Sequence, residues 1–305
     1  MTPIVKSHIA LLILNMMYGA NYVVAKGLMP GVIGPNGFIL MRVIGAGTLF
    51  WLLFLRRFQK VEKKDILRLA ICGLFGVGIN QLFFFNGLML TSPVNASVIM
   101  ITTPIIVFIL SLILLKERAE WIKIVGLIIG AIGSIIFTMQ STDSIHANIK
   151  GDLFIMVNAA SYALYLVLVK PMMAKYKPLT VITWVFTFGL IYVLIWPYST
   201  AELSSIETSA LTLDSILRFA FVVIGVTFLP YLLMVYAMKI VSAAASSTYI
   251  YLQPLLAAFF VYVFYLFGLE DYTDDFSWIK FTSAFFVFVG VYLVIRPPKK
   301  LLAKR

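Results

Sequence analysis

Long apolar runs follow one another along the chain, broken at near-regular intervals by short clusters of charged residues, proline and glycine. Runs of spanning length cover residues 9–28, 36–55, 66–90, 94–115 and 121–139, and then 153–170, 179–197, 216–239, 243–268 and 278–295. A bilayer core about 30 Å thick takes roughly 20 apolar residues of helix to cross. Within hydrocarbon a helix keeps every backbone polar group satisfied from inside the segment. The pattern therefore predicts an all-α membrane protein with ten transmembrane helices.

Composition agrees and removes several function classes. Of 305 residues, 62% are hydrophobic and only 12% charged, about half the charge of an ordinary soluble domain. Ten spans leave only short connectors, so a separate catalytic domain has no room. The lone cysteine, Cys72, excludes an intramolecular disulfide and a multi-cysteine metal site. His8 and His146 fall outside or at the edge of the apolar runs, which deprives intramembrane metalloproteolysis and a buried histidine relay of their parts. No GxxxxGK[ST] phosphate loop occurs, so neither ATP hydrolysis nor any cofactor or metal is expected.

The net charge of +11 raises a nucleic-acid reading that the placement of the cations removes. Counted by alternate sides, 19 Lys and Arg lie on the side of the amino terminus and four on the other (Lys26, Lys150, Arg218, Lys280), with Arg42 inside a span. That asymmetry puts both termini in the cytoplasm of a multi-pass plasma-membrane protein. It also accounts for the charge through anionic lipid headgroups and topology, with no nucleic-acid partner.

The chain repeats itself. Ser92, Ser97 and Pro104 correspond to Ser242, Ser247 and Pro254 at an offset of 150, Trp121-Ile122-Lys123 and Gly133 to Trp278-Ile279-Lys280 and Gly290 at 157, and Asn15 and Tyr22 to Asn158 and Tyr165 at 143. Two five-helix halves result, residues 1–140 and 151–298. Because each holds an odd number of spans, the second enters from the opposite face, giving inverted repeats about an axis in the membrane plane. Such halves can exchange conformations and expose a central site to each side in turn, which moves the reading from channel, receptor or intramembrane enzyme toward secondary transport.

The run Tyr18-Gly19-Ala20-Asn21-Tyr22 with Lys26, then Pro35 and Arg42, the stretch Thr91, Ser92, Ala96 and Pro104, the Lys116-Glu117-Arg118 exit and the series Gly126, Gly130, Gly133 together resemble an EamA-type member of the drug/metabolite transporter superfamily. The resemblance implies a ten-helix inner-membrane carrier, with spans one to four and six to nine around a central cavity. The fifth and tenth would lie outside and support a homodimer. It also implies export as the direction. The second half departs from the pattern: the arginine of the second span has no counterpart in the seventh, and the acidic exit is shifted to Glu270.

No Asp or Glu falls in the middle of a span, which argues against a proton-coupled exporter of polycations and for a neutral, zwitterionic or anionic cargo. Asn15, Tyr18 and Tyr22 share one face of the first span, and Asn158, Tyr162 and Tyr165 one face of the sixth. An amide in hydrocarbon must bond another helix or line a wet cavity. The matched placement favours the cavity, with interhelical glue as the alternative. Gln81 and Phe84, their repeat-related Tyr231, and Tyr249 with Gln253 complete the expected substrate-binding surface. Arg42 is either an anchor for a substrate carboxylate or a gate contact, or else it pairs with helix-end carbonyls or a polar neighbour. Pro104 and Pro254 are expected hinges, since proline removes a helical hydrogen bond. Gly126 and Gly130 mark a close helix contact, within the fold or between protomers. The reading is an exporter of small metabolites such as amino acids, with a sugar-phosphate or nucleotide-sugar exchanger and a passive channel as alternatives, and with no enzymatic role.

Overall fold

A computed structural model describes residues 1–26, 28–29, 31–91, 96, 99–118, 120–139, 149–206, 212–267 and 278–295. Among these the chain is helical, without strands. Helix α1 is Pro3–Lys26, α2 Pro35–Leu55, α3 Lys63–Leu90, α4 Thr102–Leu114, α5 Trp121–Met139, α6 Ile149–Lys175, α7 Pro178–Ile195, α8 Leu213–Met238, α9 residues 243–266 and α10 Trp278–Ile295, and a short helix, Pro197–Ser204, follows α7. Of these, α1, α2, α3, α6, α7 and α8 are long and apolar enough to cross a membrane. Helices α4 and α5 and residues 282–295 of α10 are shorter apolar helices. The apolar run expected from residue 94 has residues 92–95 and 97–98 outside the described set. In α9 the tight turn Tyr249–Leu252 interrupts the helix before Gln253–Leu266.

Local sequence explains where the helices begin. Pro35 and Pro178 each occupy the first helical turn behind an extended residue, Gly34 and Lys177. There proline loses no hydrogen bond and its φ is already helical. The expected hinge prolines behave alike. Pro104 lies in the first turn of α4, after a break at Ile101, and Pro254 is the second residue of Gln253–Leu266, after the tight turn. Both therefore open a new helical segment instead of removing a bond from the middle of one.

Helix pairing is conserved when each helix of the first half is exchanged with the helix five further on. Helix α1 packs on α8 and α9, and α6 on α3 and α4; α2 packs on α7, and α5 on α10. The α5–α10 contact is backbone on backbone: a Cβ on Gly290 would stand 2.5 Å from the Gly130 Cα, and one on Gly126 2.9 Å from the Gly290 carbonyl oxygen. The Gly126/Gly130 patch is thus used within the chain. The outward faces of this pair carry exposed Ile128, Ile132, Phe285, Phe288 and Tyr292, an apolar surface suited to lipid.

Side-chain links define two ends of the bundle. The near end holds the start of α1, the α2–α3 and α6–α7 connections and the start of α9; the far end holds the start of α2, the short helix and the α3–α6 contact at Thr91 and Asp152.

Candidate functional site

In α3 and α8, helices that the exchange relates, the regular ladder widens into π-helical stretches, Leu74–Gly78 and Phe221–Phe228. A widened turn offers backbone carbonyls to side chains, and such turns recur at functional sites. The Phe75 carbonyl accepts from Ser161 Oγ at 2.6 Å, and the Gly76 carbonyl from the Tyr231 hydroxyl at 2.9 Å. The Val222 carbonyl accepts from Thr227 Oγ1 at 2.8 Å. Gly76 is required because a Cβ there would meet the Tyr165 ring at 2.5 Å.

Arg42 of α2 is the centre of this region, with only 4% of its surface exposed. Its Nε donates to Thr227 Oγ1 at 2.9 Å, while its guanidinium carbon lies 4.6 Å from the Phe85 ring centroid and 5.4 Å from that of Phe38. Among the described residues one terminal nitrogen, Nη1, is buried without a hydrogen-bond partner, and none of the ion pairs includes Arg42. Ring faces attract a guanidinium by roughly 0.5–2 kcal/mol. That falls short of the several kcal/mol needed to take an ion out of water. Among the described residues the site thus holds a positive charge and a buried donor with no anion against them.

Other expected residues gather in the same interior. Tyr162 of α6 stacks on Tyr165 with ring centroids 6.0 Å apart, and Tyr18 of α1 packs, partly buried, against the same core. Gln81 Nε2 donates to the Tyr231 hydroxyl at 3.3 Å, and Tyr231 stands edge-on to Phe186. Asn158 Nδ2 donates to the Asn80 carbonyl at 2.7 Å. Gln81 Oε1, Asn158 Oδ1 and the Tyr165 hydroxyl are buried without partners among the described residues. Phe84 is half-buried and packs edge-on against Phe85. The Tyr22 side chain lies outside the described residues.

A second polar group lies toward the near end. Gln253 Nε2 donates to Asn15 Oδ1 at 3.0 Å, and Asn15 Nδ2 donates to the Leu11 carbonyl at 2.8 Å. Tyr249 meets His8 Nδ1 at 2.9 Å through its hydroxyl. The sequence placed His8 at the edge of an apolar run; in the structure it sits within α1 against α9, because the helix begins at Pro3, six residues ahead of the apolar run. Asn15→Ala and Gln253→Ala are each expected to lower transport severalfold at unchanged membrane abundance. The double variant should lose less stability than the two singles together, by about 0.5–3 kcal/mol. Additive losses in a denaturation cycle would show that the two amides act separately.

The two ends are held by related devices, both missed by sequence reading. At the far end Glu202 of the short helix caps the start of α2. Its Oε2 accepts from the backbone N–H groups of Asn36 at 2.6 Å and Gly37 at 3.0 Å, and its Oε1 accepts from Asn36 Nδ2 at 2.5 Å. Asn86 Nδ2 extends the link to α3 by donating to Asn36 Oδ1 at 2.8 Å. At the near end Gln59, just beyond α2, caps the start of α7: its Oε1 accepts from the Lys177 N–H and Thr180 Oγ1, each at 2.9 Å. Each of α2 and α7 is thus capped by a side chain that follows the other. Beside Gln59, Asp65 accepts from Lys175 Nζ at 2.5 Å and from the Tyr176 hydroxyl at 2.6 Å. Hydrogen bonds from Lys175 and Lys64 hold the exposed Glu62 carboxyl below its ordinary pKa.

Comparison with known proteins decides the family. The EamA-like transporter family model matches residues 5–139 and again residues 149–296. The chain belongs to the EamA-like transporter family. It is 27% identical to a protein of Archaeoglobus fulgidus described as an uncharacterized transporter, over 87% of this chain and 90% of that one. It is 26% identical to the uncharacterized transporter YyaM of Bacillus subtilis, over 82% and 83%. A WAT1-related protein of Arabidopsis thaliana is 28% identical over 48% of this chain and 43% of its own length. A crystal structure with 16% identity superposes at a TM-score of 0.71 over 99% of this chain and 98% of its own, and so shares the fold. This EamA-like chain is therefore a multi-pass membrane transporter, as the sequence resemblance implied.

Of the residues the sequence singled out, Arg42, Gln81, Asn158, Tyr162, Tyr165 and Tyr231 are buried in the interior with Tyr18 partly buried, while Gln253 bonds Asn15 and Tyr249 bonds His8. Thr227 and Asn80, which sequence reading omitted, hold Arg42 and Asn158 in place. The glycines at 73, 76 and 78 were the available signal for the π-helical stretch.

Proposed function

We propose that this EamA-like protein is a secondary carrier that exports small zwitterionic or anionic metabolites, such as amino acids, by alternating access. The observation that carries the reading is the buried Arg42 guanidinium with an unpartnered Nη1, set among aromatic rings and unpartnered acceptors between the two halves. A substrate carboxylate would satisfy the donor, and the orphan oxygens of Gln81 and Asn158 would take a substrate ammonium or hydroxyl. One guanidinium favours a single carboxylate over a phosphate, which recruits several cations.

In this reading the halves 1–140 and 151–298 are inverted repeats with ten crossings. The exchange-symmetric pairing of helices supports it, as does the reciprocal capping of α2 and α7, whose starts lie at opposite ends. Both termini face the cytoplasm of the plasma membrane, and the exposed outer faces of α5 and α10 would supply a homodimer contact. The test is counterflow. Proteoliposomes preloaded with unlabelled amino acid are expected to take up labelled amino acid transiently above equilibrium, with saturation. Uptake that is linear in concentration and indifferent to preloading would identify a channel instead.

A further inference from the structure

A crevice of about 490 Å³ lies at the near end, where the ends of α2 and α8 meet the start of α7. Its size is that of a small-molecule site, yet it shares no residue with the Arg42 region. Arg57 and Lys177 line it together with Leu179, Leu232, Leu233 and Tyr236. The two cations are brought to one crevice by Gln59, which ties the loop carrying Arg57 to the first turn of α7. Lys64 and Lys175, cations of the same end, are paired with Glu62 and Asp65. Arg57 and Lys177 have no ion-pair partner among the described residues. Both stand at helix ends, Arg57 two residues beyond α2 and Lys177 just before α7, and all three helices are long and apolar enough to cross a membrane. The charges therefore lie at headgroup level above a wall of leucine that continues down membrane-crossing helices. Exposed Tyr236 adds an aromatic ring at that level, where such rings are enriched.

We propose that this crevice binds one anionic phospholipid, its phosphodiester between Arg57 and Lys177 and an acyl chain along Leu179, Leu232 and Leu233. A soluble anion would use the cations but leave the leucine wall wet; a zwitterionic lipid would use the wall but carry its own cation toward Arg57 and Lys177. Basic clefts between membrane helices are known to take anionic headgroups, and each cation near the surface contributes about a fivefold preference.

The test is a titration of the purified full-length chain in nonionic detergent with dioctanoyl phosphatidylglycerol, dioctanoyl phosphatidylcholine and inorganic phosphate. Phosphatidylglycerol is expected to bind about 30-fold more tightly than phosphatidylcholine, and Arg57→Gln with Lys177→Gln to remove that advantage. Arg56→Gln with Lys60→Gln removes the same charge from exposed neighbours outside the crevice and is expected to change binding by less than about threefold. All four positions are exposed, so both double variants should keep the thermal midpoint of the unmodified chain in detergent alone. Equal losses in the two double variants, equal binding of the two lipids, or competition by millimolar phosphate would overturn the proposal. Because none of these readings uses transport, a failure here leaves the carrier reading standing, and the reverse.

Discussion

Arg42→Gln is expected to reduce counterflow by about 10–100-fold while the protein remains folded and as abundant in the membrane as before, because a buried charge-assisted hydrogen bond to ligand contributes roughly 1.5–3 kcal/mol. Stability distinguishes this from a structural role. Among the described residues Arg42 has no carboxylate partner, and its guanidinium is met by Thr227 Oγ1 and two ring faces. Removing an incompletely compensated charge commonly leaves a protein as stable as before or more so. Arg42→Lys is expected to fail as a rescue. An ammonium keeps the charge but cannot donate to Thr227 through Nε and to a substrate through Nη1 together, since that needs the planar fork. A lowered thermal midpoint with normal counterflow in Arg42→Gln would assign the residue to the scaffold instead.

Much of the interior was legible in the sequence because hydrocarbon leaves few ways to place a polar side chain. An amide, tyrosine or arginine inside an apolar run must point inward or bond a neighbour. The helical spacing of Asn158, Tyr162 and Tyr165 was therefore enough to put all three on one face of α6, where Asn158 and Tyr165 meet α3. Glycine spacing marked a close helix contact on α5, within the fold or between protomers, and only coordinates show that its partner is α10, where Gly130 and Gly290 meet within one chain. The illegible part depends on residues that carry no unusual pattern. Thr227 is one hydroxyl among many until a widened turn points it at Arg42. Glu202 and Gln59 read as polar residues of connecting segments, and their partners are backbone N–H groups, which every residue has.

The reciprocal caps give the second large effect. Glu202 satisfies two buried backbone donors and the Asn36 amide at once, so Glu202→Ala leaves several donors of the α2 start unpaired whenever the far end is closed. Each lost charge-assisted bond contributes roughly 1.5–3 kcal/mol, enough to shift an open-to-closed equilibrium by about 10–100-fold toward far-end opening. Gly34→Ala reaches the same state by another route. Its φ of −66° suits alanine, but the added Cβ would lie 2.4 Å from Glu202 Oε2 and displace the carboxylate. At the near end Gln59→Ala combined with Asp65→Ala frees the start of α7 and the Lys175–Tyr176 segment from α3, favouring near-end opening. The far-end cap uses a carboxylate where the near-end cap uses a neutral amide, so Glu202→Ala is expected to have a larger effect than Gln59→Ala alone.

Cysteine accessibility in these variants tests alternating access directly. In a Cys72→Ser background, Phe38→Cys reports on the interior near the start of α2 and Tyr249→Cys on the near-end group, and each is followed by its rate of maleimide labelling. Glu202→Ala is expected to speed labelling at position 38 by about tenfold and slow it at position 249, and Gln59→Ala with Asp65→Ala to do the reverse. Labelling that rises at both positions together in either variant would describe a pore open from end to end and contradict the account.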